Sequence, residues 1–423
     1  MNNSWQLNGS DYLMLGFDHE LRRRGYAGNS CQIVLELDRA ISPETLRARL
    51  GLMLRHYAIV RARPGGLLHP KWSIASTLNP VPTVRVHTDE PGLDRRIFNE
   101  PLAVSRGELL RLDLVNDGAG GTRLLFTWTH ALLDAPGAEY FLALLGDPDR
   151  PLPDLQPPNF PGPGMSLRSR CKLAWKTLHL LDEYCRAAPR SPGLRHAAVA
   201  PFLHQHTERL SPEETRQVRA NGARLCGVLG DAQYHAAVSV KELHRLHERL
   251  GCPSPSYVVP VPVGLRRKGG MEPLFGNQLG MLMFQFLPAH LDSIETAVTS
   301  LKRQAEHAVR ARLLESGVAL AELFRFLPRS LYVAMMKHGL RGEICSFFFG
   351  DTGTVNPQLK TFLGARITDF THIAAVIPSP GISVIYYHFG DLLRVTVVHS
   401  TQVLNDAEAA EFAAGLRARL LNP

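Results

Sequence analysis

The sequence predicts an α/β protein built as two lobes. Three observations carry this expectation. The chain's 423 residues suffice for about two to three domains, or for one large pseudo-symmetric unit. Strand-like and helix-like segments occur together in both halves. Between them lies a stretch dense in Pro and Gly, from Asp147-Pro148 to Pro163-Gly164, where neither a helix nor a central strand continues. The expected layout is an N-terminal lobe over 1–150, a Pro-rich linker and amphipathic helix over 151–205, and a C-terminal lobe over 206–423.

Taken in order, Cys31 to Leu37 is apolar and β-rich. Ser42-Pro43-Glu44 opens a helix, with Ser42 as cap and Pro43 in the first turn. Leu46, Leu50, Met53 and Leu54 then share one helical face. Leu109 to Val115 and Arg123 to Thr129 read as strands of a hairpin, joined by turn residues Asn116 to Gly121. In the second half, helices are expected at 211–226, 292–312, 317–338 and 405–421, and strands at 256–263, 280–287, 344–349, 383–388 and 393–399. The apolar run Met281 to Leu287 suits a buried strand that could also line a cleft.

Composition narrows the function classes. Apolar residues make up 45% and charged residues 20% of the chain, which excludes a disordered, collagenous or disulfide-scaffold protein. The net charge of +8 suits a polyphosphate ligand, an acidic protein partner or an anionic membrane. No nucleic-acid partner is expected, because zinc spacing, RNA-binding aromatics and long basic runs are all missing. The six cysteines are scattered without metal-ligand spacing, so no metal is expected. Neither a signal peptide nor an apolar run of about 18 residues is visible, and a cytoplasmic location is the expectation.

The most informative stretch runs from Phe126 to Tyr140. A β-rich run ends on His130, Asp134 follows four residues later, and Pro136 starts a helical run. A histidine at a strand's end is placed to project into a cleft. Its ordinary pKa near 6.5 lets it take a proton from an alcohol or amine near neutral pH. The same residues also admit a plainer reading, with Asp134 as a helix cap and His130 as a satisfied core side chain.

The surrounding segments favour the chemical reading. LRARLGLMLRHYAIVRAR (46–63), the His130–Asp134 HxxxD, PVPVGLRR (260–267) and FGNQLG (275–280) occur in order. In this order they resemble the motifs of the chloramphenicol-acetyltransferase-like, CoA-dependent acyltransferase superfamily. That superfamily includes nonribosomal-peptide condensation domains, wax ester synthase/diacylglycerol acyltransferases and polyketide-associated acyltransferases. The Asp11 region and the tail from Val384 also match its style, so the resemblance runs from about residue 8 to 421. It implies two chloramphenicol-acetyltransferase-like lobes with a central tunnel at their interface. His130 would be the general base, and Asp134 would hold the histidine loop through an arginine of the second lobe. Arg266 is the candidate partner and Arg267 the reserve; the alternative for Arg266 is a solvated surface charge. Trp128, Thr129, Gly137 and Asn277 are placed along the substrate tunnel, although Asn277 also reads as a turn residue.

Three departures from the family pattern stand out. Thr129 replaces the first histidine of HHxxxDG, Ala135 replaces the glycine after the aspartate with Gly137 two residues later, and the C-terminal SN-type segment reads Ser346-Phe347-Phe348-Phe349-Gly350. The resemblance implies no bound cofactor, with acyl-CoA or a phosphopantetheine thioester as co-substrate.

Met165 to Ala188 is amphipathic, with Leu167, Cys171, Ala174, Leu178, Leu181 and Cys185 on one stripe and basic residues on another. This suits a helix packed on the core, or peripheral contact with an anionic membrane. The segment 323–340 is similar to the wax ester synthase branch, which favours a lipid-like acceptor. The expected function is acyl transfer from a CoA or carrier-protein thioester to a hydroxyl or amine of a small-molecule or lipid-like acceptor, with an acyl carrier protein as an expected donor partner. The alternatives are a condensation-type domain forming an amide, and a catalytically silent domain that recruits a carrier protein.

Overall fold

The computed structural model describes residues 4–66, 69–74, 83–116, 120–154, 165–227, 230–267, 270 and 272–423. Most of the Pro-rich linker, 155–164, lies outside the described residues, as does the tip of the 116–121 turn.

The first part of the chain forms β1 (Ser4–Gln6), α1 (Gly9–Arg23), β2 (Ser30–Leu37), α2 (Pro43–His56), β3 (Ala62–Gly65), β4 (Lys71–Ile74), β5 (Val84–Thr88), α3 (Leu93–Phe98), β6 (Leu110–Asn116), β7 (Thr122–Thr129) and α4 (Ala135–Gly146). The remainder forms α5 (Leu167–Tyr184), β8 (Leu203–Arg209), α6 (Pro212–Cys226), α7 (Asp231–Arg249), β9 (Tyr257–Gly264), β10 (Leu279–Phe286), α8 (Ile294–Ala311), α9 (Leu313–Phe324), α10 (Arg329–His338), β11 (Phe348–Thr354), β12 (Thr361–Phe362), β13 (Ala365–Ala374), β14 (Ile382–Phe389), β15 (Leu392–Ser400) and α11 (Asp406–Leu421).

Two larger sheets organise the lobes. The N-terminal sheet has the order β12-β13-β2-β7-β6-β5, and the C-terminal sheet the order β11-β14-β15-β8. Each is antiparallel except at one edge, where β5 runs parallel to β6 and β11 parallel to β14. The ribbon β9–β10 and the small sheet β1-β4-β3 complete the described strands. Each large sheet backs onto its own apolar core. One core gathers β2, β6 and β7 with α1, α2 and α4; the other gathers β14 and β15 with α7, α8 and α11.

Local chemistry accounts for many of the elements. Ser42 Oγ accepts from Thr45 N to cap α2, and β6 and β7 pair antiparallel as the predicted hairpin. Three expectations are corrected. The helix expected at 317–338 is two helices, α9 and α10, because Pro328 interrupts the hydrogen-bond ladder. The strand expected at 344–349 begins only at Phe348. Ser346 before it is tied instead to β9, donating its N–H to Val258 O and accepting Val258 N–H on Oγ. Finally, residues 361–374, placed with the C-terminal lobe by sequence position, supply β12 and β13 to the N-terminal sheet. There β13 pairs antiparallel with β2; a pairing over more than 300 residues of chain leaves no local pattern.

Candidate active site

The site forms where β7 ends and meets two segments from the second half, 265–267 and 272–278. β7 finishes at Thr129, so His130 leaves the sheet at its edge. Its backbone N–H donates to Asn29 O at 3.0 Å, and its carbonyl accepts from Asn277 Nδ2 at 2.8 Å. The ring is partly buried, and Nδ1 is enclosed without a hydrogen-bond partner. Burial lowers the imidazole pKa below its ordinary value, with the Asp134 charge opposing. The ring is therefore neutral near pH 7, the form a base requires.

Asp134 caps α4 and is buried. Oδ1 accepts from Gly137 N at 3.0 Å, and Oδ2 accepts from Arg266 Nη1 at 2.6 Å and from Gln278 N at 2.9 Å. Both oxygens are thus engaged in holding the loop, and neither hydrogen-bonds to the imidazole. Arg266, itself partly buried, also donates from Nη2 to Pro273 O at 3.0 Å. The two expected partners, Asp134 and Arg266, are brought together, and the fork of the guanidinium bridges the two segments. Gly276 N–H donates to Leu132 O at 2.8 Å, and Leu133 and Gly276 form an isolated parallel bridge.

Gly137 serves this junction by lacking a side chain. A Cβ there would lie 2.6 Å from Leu274 O and 3.0 Å from Asp134 Oδ1. Asn277 is no exposed turn residue but is buried at the centre. Its Nδ2 donates to Asp11 Oδ1 and to His130 O, and its backbone N–H donates to Asp11 Oδ1 as well. Two pure acceptors at one end fix the amide orientation. The expected tunnel positions Trp128 and Thr129 are 1% exposed. Trp128 stacks on Phe126 at 5.0 Å and donates Nε1–H to Leu133 O. It belongs to the core behind the loop, because the strand's alternation turns its ring inward.

Sequence reasoning did not single out Asn8, Asp11, Asn29 or Gln278 as site residues. Asn8 and Asp11 form a capping box at the start of α1, a pattern visible as N-x-x-D. Burial raises the Asp11 carboxyl to about 7, against the hydrogen bonds from Asn277 and Asn8. Gln278 holds Asp134 through its backbone N–H, which no side-chain identity records.

Beside this cluster, α1, α5, β10, α9 and α10 enclose a cavity of about 660 Å³. Met14, Met281, Met283, Met335, Phe324 and Tyr332 are among its walls. Ser10 and Leu279, also in the wall, are the chain neighbours of Asp11 and Gln278. Helix α5 packs on α9: Ser316 Oγ donates to Leu173 O and accepts from Thr177 N. Leu167 and Trp175 remain exposed, each at 68%. No helix among the described residues is long and apolar enough to cross a membrane.

No protein-family model matches the chain, and no curated protein matches it significantly in sequence. Solved structures do match over its whole length. A trichothecene 15-O-acetyltransferase from Fusarium sporotrichioides superposes with a TM-score of 0.73 at 12% identity, over 99% of this chain and 95% of the other. The first condensation domain of the calcium-dependent antibiotic synthetase gives 0.70 at 16% identity, over 99% and 97%. Polyketide synthase associated protein 5 from Mycobacterium tuberculosis gives 0.65 at 14% identity, over 99% and 97%. The protein is an α/β protein of two packed lobes. More narrowly, its fold is the chloramphenicol-acetyltransferase-like fold of these solved structures.

Proposed function

We propose that the protein is an acyltransferase that moves an acyl group from a CoA or carrier-protein thioester to a hydroxyl or amine, with His130 as general base. The observation that carries this reading is the division of labour between the two motif residues. Asp134 uses both carboxylate oxygens to lock the loop to Arg266, Gly137 and Gln278, while burial keeps His130 neutral. In the proposed reaction, Nε2 takes the acceptor's proton, Nδ1 being enclosed. The acceptor oxygen or nitrogen attacks the thioester carbonyl, the C–S bond breaks, and the leaving thiolate regains the proton from the imidazolium. Thr129 Oγ1, Asn277 Oδ1 and Gln278 Nε2 are buried and make no hydrogen bond, which favours a polar reacting group at this point. The apolar cavity beside it suits a hydrocarbon chain on the donor or acceptor. The acetyltransferase and condensation domains with the same fold support the class of reaction.

The test is acceptor-dependent release of free thiol from acyl-CoAs of increasing chain length and from an acylated carrier protein, with His130→Ala alongside. Loss of a positioned general base is expected to lower the rate about 10²–10⁴-fold. Equal rates in wild type and variant would rule out His130 as the base.

A further inference from the structure

Away from His130, strand β8 carries His204 and His206 two residues apart, hence on the same face. The neighbouring β15 sets His399 directly opposite His204. The rings of His206 and His399 stack with centroids 5.6 Å apart. Asp406, the first residue of α11, closes the group. Its Oδ1 accepts a hydrogen bond from His204 Nδ1 at 2.7 Å, a hydrogen that metal binding would displace, and lies 3.4 Å from His399 Nε2. One ligand atom each from His204, His399 and Asp406 falls within 4.8 Å of the others.

The tautomer of His399 is fixed by its surroundings. Nδ1 lies 3.1 Å from Leu404 O, and a carbonyl oxygen only accepts, so Nδ1 carries the hydrogen and Nε2 a lone pair. The residue is fully buried, yet Nε2 makes no hydrogen bond, and neither does the buried Nε2 of His206. A lone pair withdrawn from water without a donor is costly. A metal cation would satisfy it, and a carbonyl on the other ring nitrogen is the usual second contact of a metal-bound histidine.

We propose that His204, His399 and Asp406 form a site for a divalent transition-metal ion, with Zn²⁺ the best match. Two imidazoles and a carboxylate suit zinc, whereas Mg²⁺ and Ca²⁺ favour oxygen donors throughout. Arg95 Nη1 approaches the other carboxylate oxygen, Oδ2, at 3.5 Å, leaving Oδ1 on the histidine side. His204 also lines a surface depression of about 560 Å³ with Arg95, Asn99 and Phe202, which gives an ion a way in. The site shares no residue with the His130 cluster. It ties β8, β15 and the start of α11 together, so its role is to brace the C-terminal sheet.

Untagged protein stripped with a chelator and then dialysed is titrated with ZnCl₂ by calorimetry while its melting temperature is followed. The expected result is one equivalent bound and a rise in Tm that saturates at that stoichiometry. His204→Ala and Asp406→Asn, at positions partly open to solvent, should each weaken binding by at least about 10–100-fold. Circular dichroism confirms that the variants are folded. Co²⁺ in place of Zn²⁺ should give d–d absorption bands in the wild type that both variants lack. Wild type that takes up no stoichiometric Zn²⁺, or folded variants that bind it as the wild type does, would overturn the proposal.

Discussion

Asp11 has an unusual situation for a carboxylate. It is buried, takes two hydrogen bonds from Asn277, and its pKa is raised from 3.8 to about 7. Between these values the folded chain holds a proton that the unfolded chain has released. Stability therefore falls as pH rises through this window and levels off above about 7. Asp11→Asn keeps the Oδ1 acceptor and cannot ionise. The variant is expected to gain in Tm on wild type as pH goes from about 5 to 8, and parallel melting curves would refute the assignment. Much of the site at this scale was legible in the sequence. The HxxxD spacing pointed to His130 and Asp134, and the family resemblance implied Arg266; the structure brings the three to one loop junction. Asp11 was not legible as a site residue, because its partner Asn277 lies 266 residues away. Nor was Gln278, whose contribution is a main-chain N–H.

At the scale of elements, close backbone approach decides what periodicity alone could not. Helix α1 contains Gly9 and Gly16, residues that weaken a helix in isolation. A Cβ at Gly9 would stand 2.5 Å from the Ala321 carbonyl carbon, and one at Gly16 would stand 3.0 Å from Val333 Cγ2. The glycines let α1 lie against α9 and α10. Strand β13 was hidden for another reason: a register shift between Ile367 and Asp369 breaks the alternation that marks a half-buried strand. Gly137 follows the same logic within the site. Gly137→Ala should push back the Leu274 carbonyl and cost about 1–3 kcal/mol, as overpacking typically does. Urea unfolding beside the thiol-release rate measures this. If stability and rate both stayed at wild-type values, the loop would be yielding rather than locked.

For the molecule as a whole, the two lobes are joined by more than a linker. Pro and Gly density predicts a division near residue 150, and each large sheet has its own core. However, β13 from the second half pairs along β2 of the first, and Arg266 pairs with the buried Asp134 across the junction. The N-terminal sheet is therefore not complete in the first half of the sequence. Scanning calorimetry is accordingly expected to give one unfolding transition, whereas two separable peaks would mean the lobes are independent. The crossing strand also bears on synthesis. A ribosome adding about 5–20 residues per second needs roughly 20–70 s to reach residue 365, where β13 begins. Until then the nascent N-terminal lobe presents the bare edge of β2, open to pairing with any other extended segment. Its safe passage depends on whatever shields that edge until β13, Ala365–Ala374, emerges.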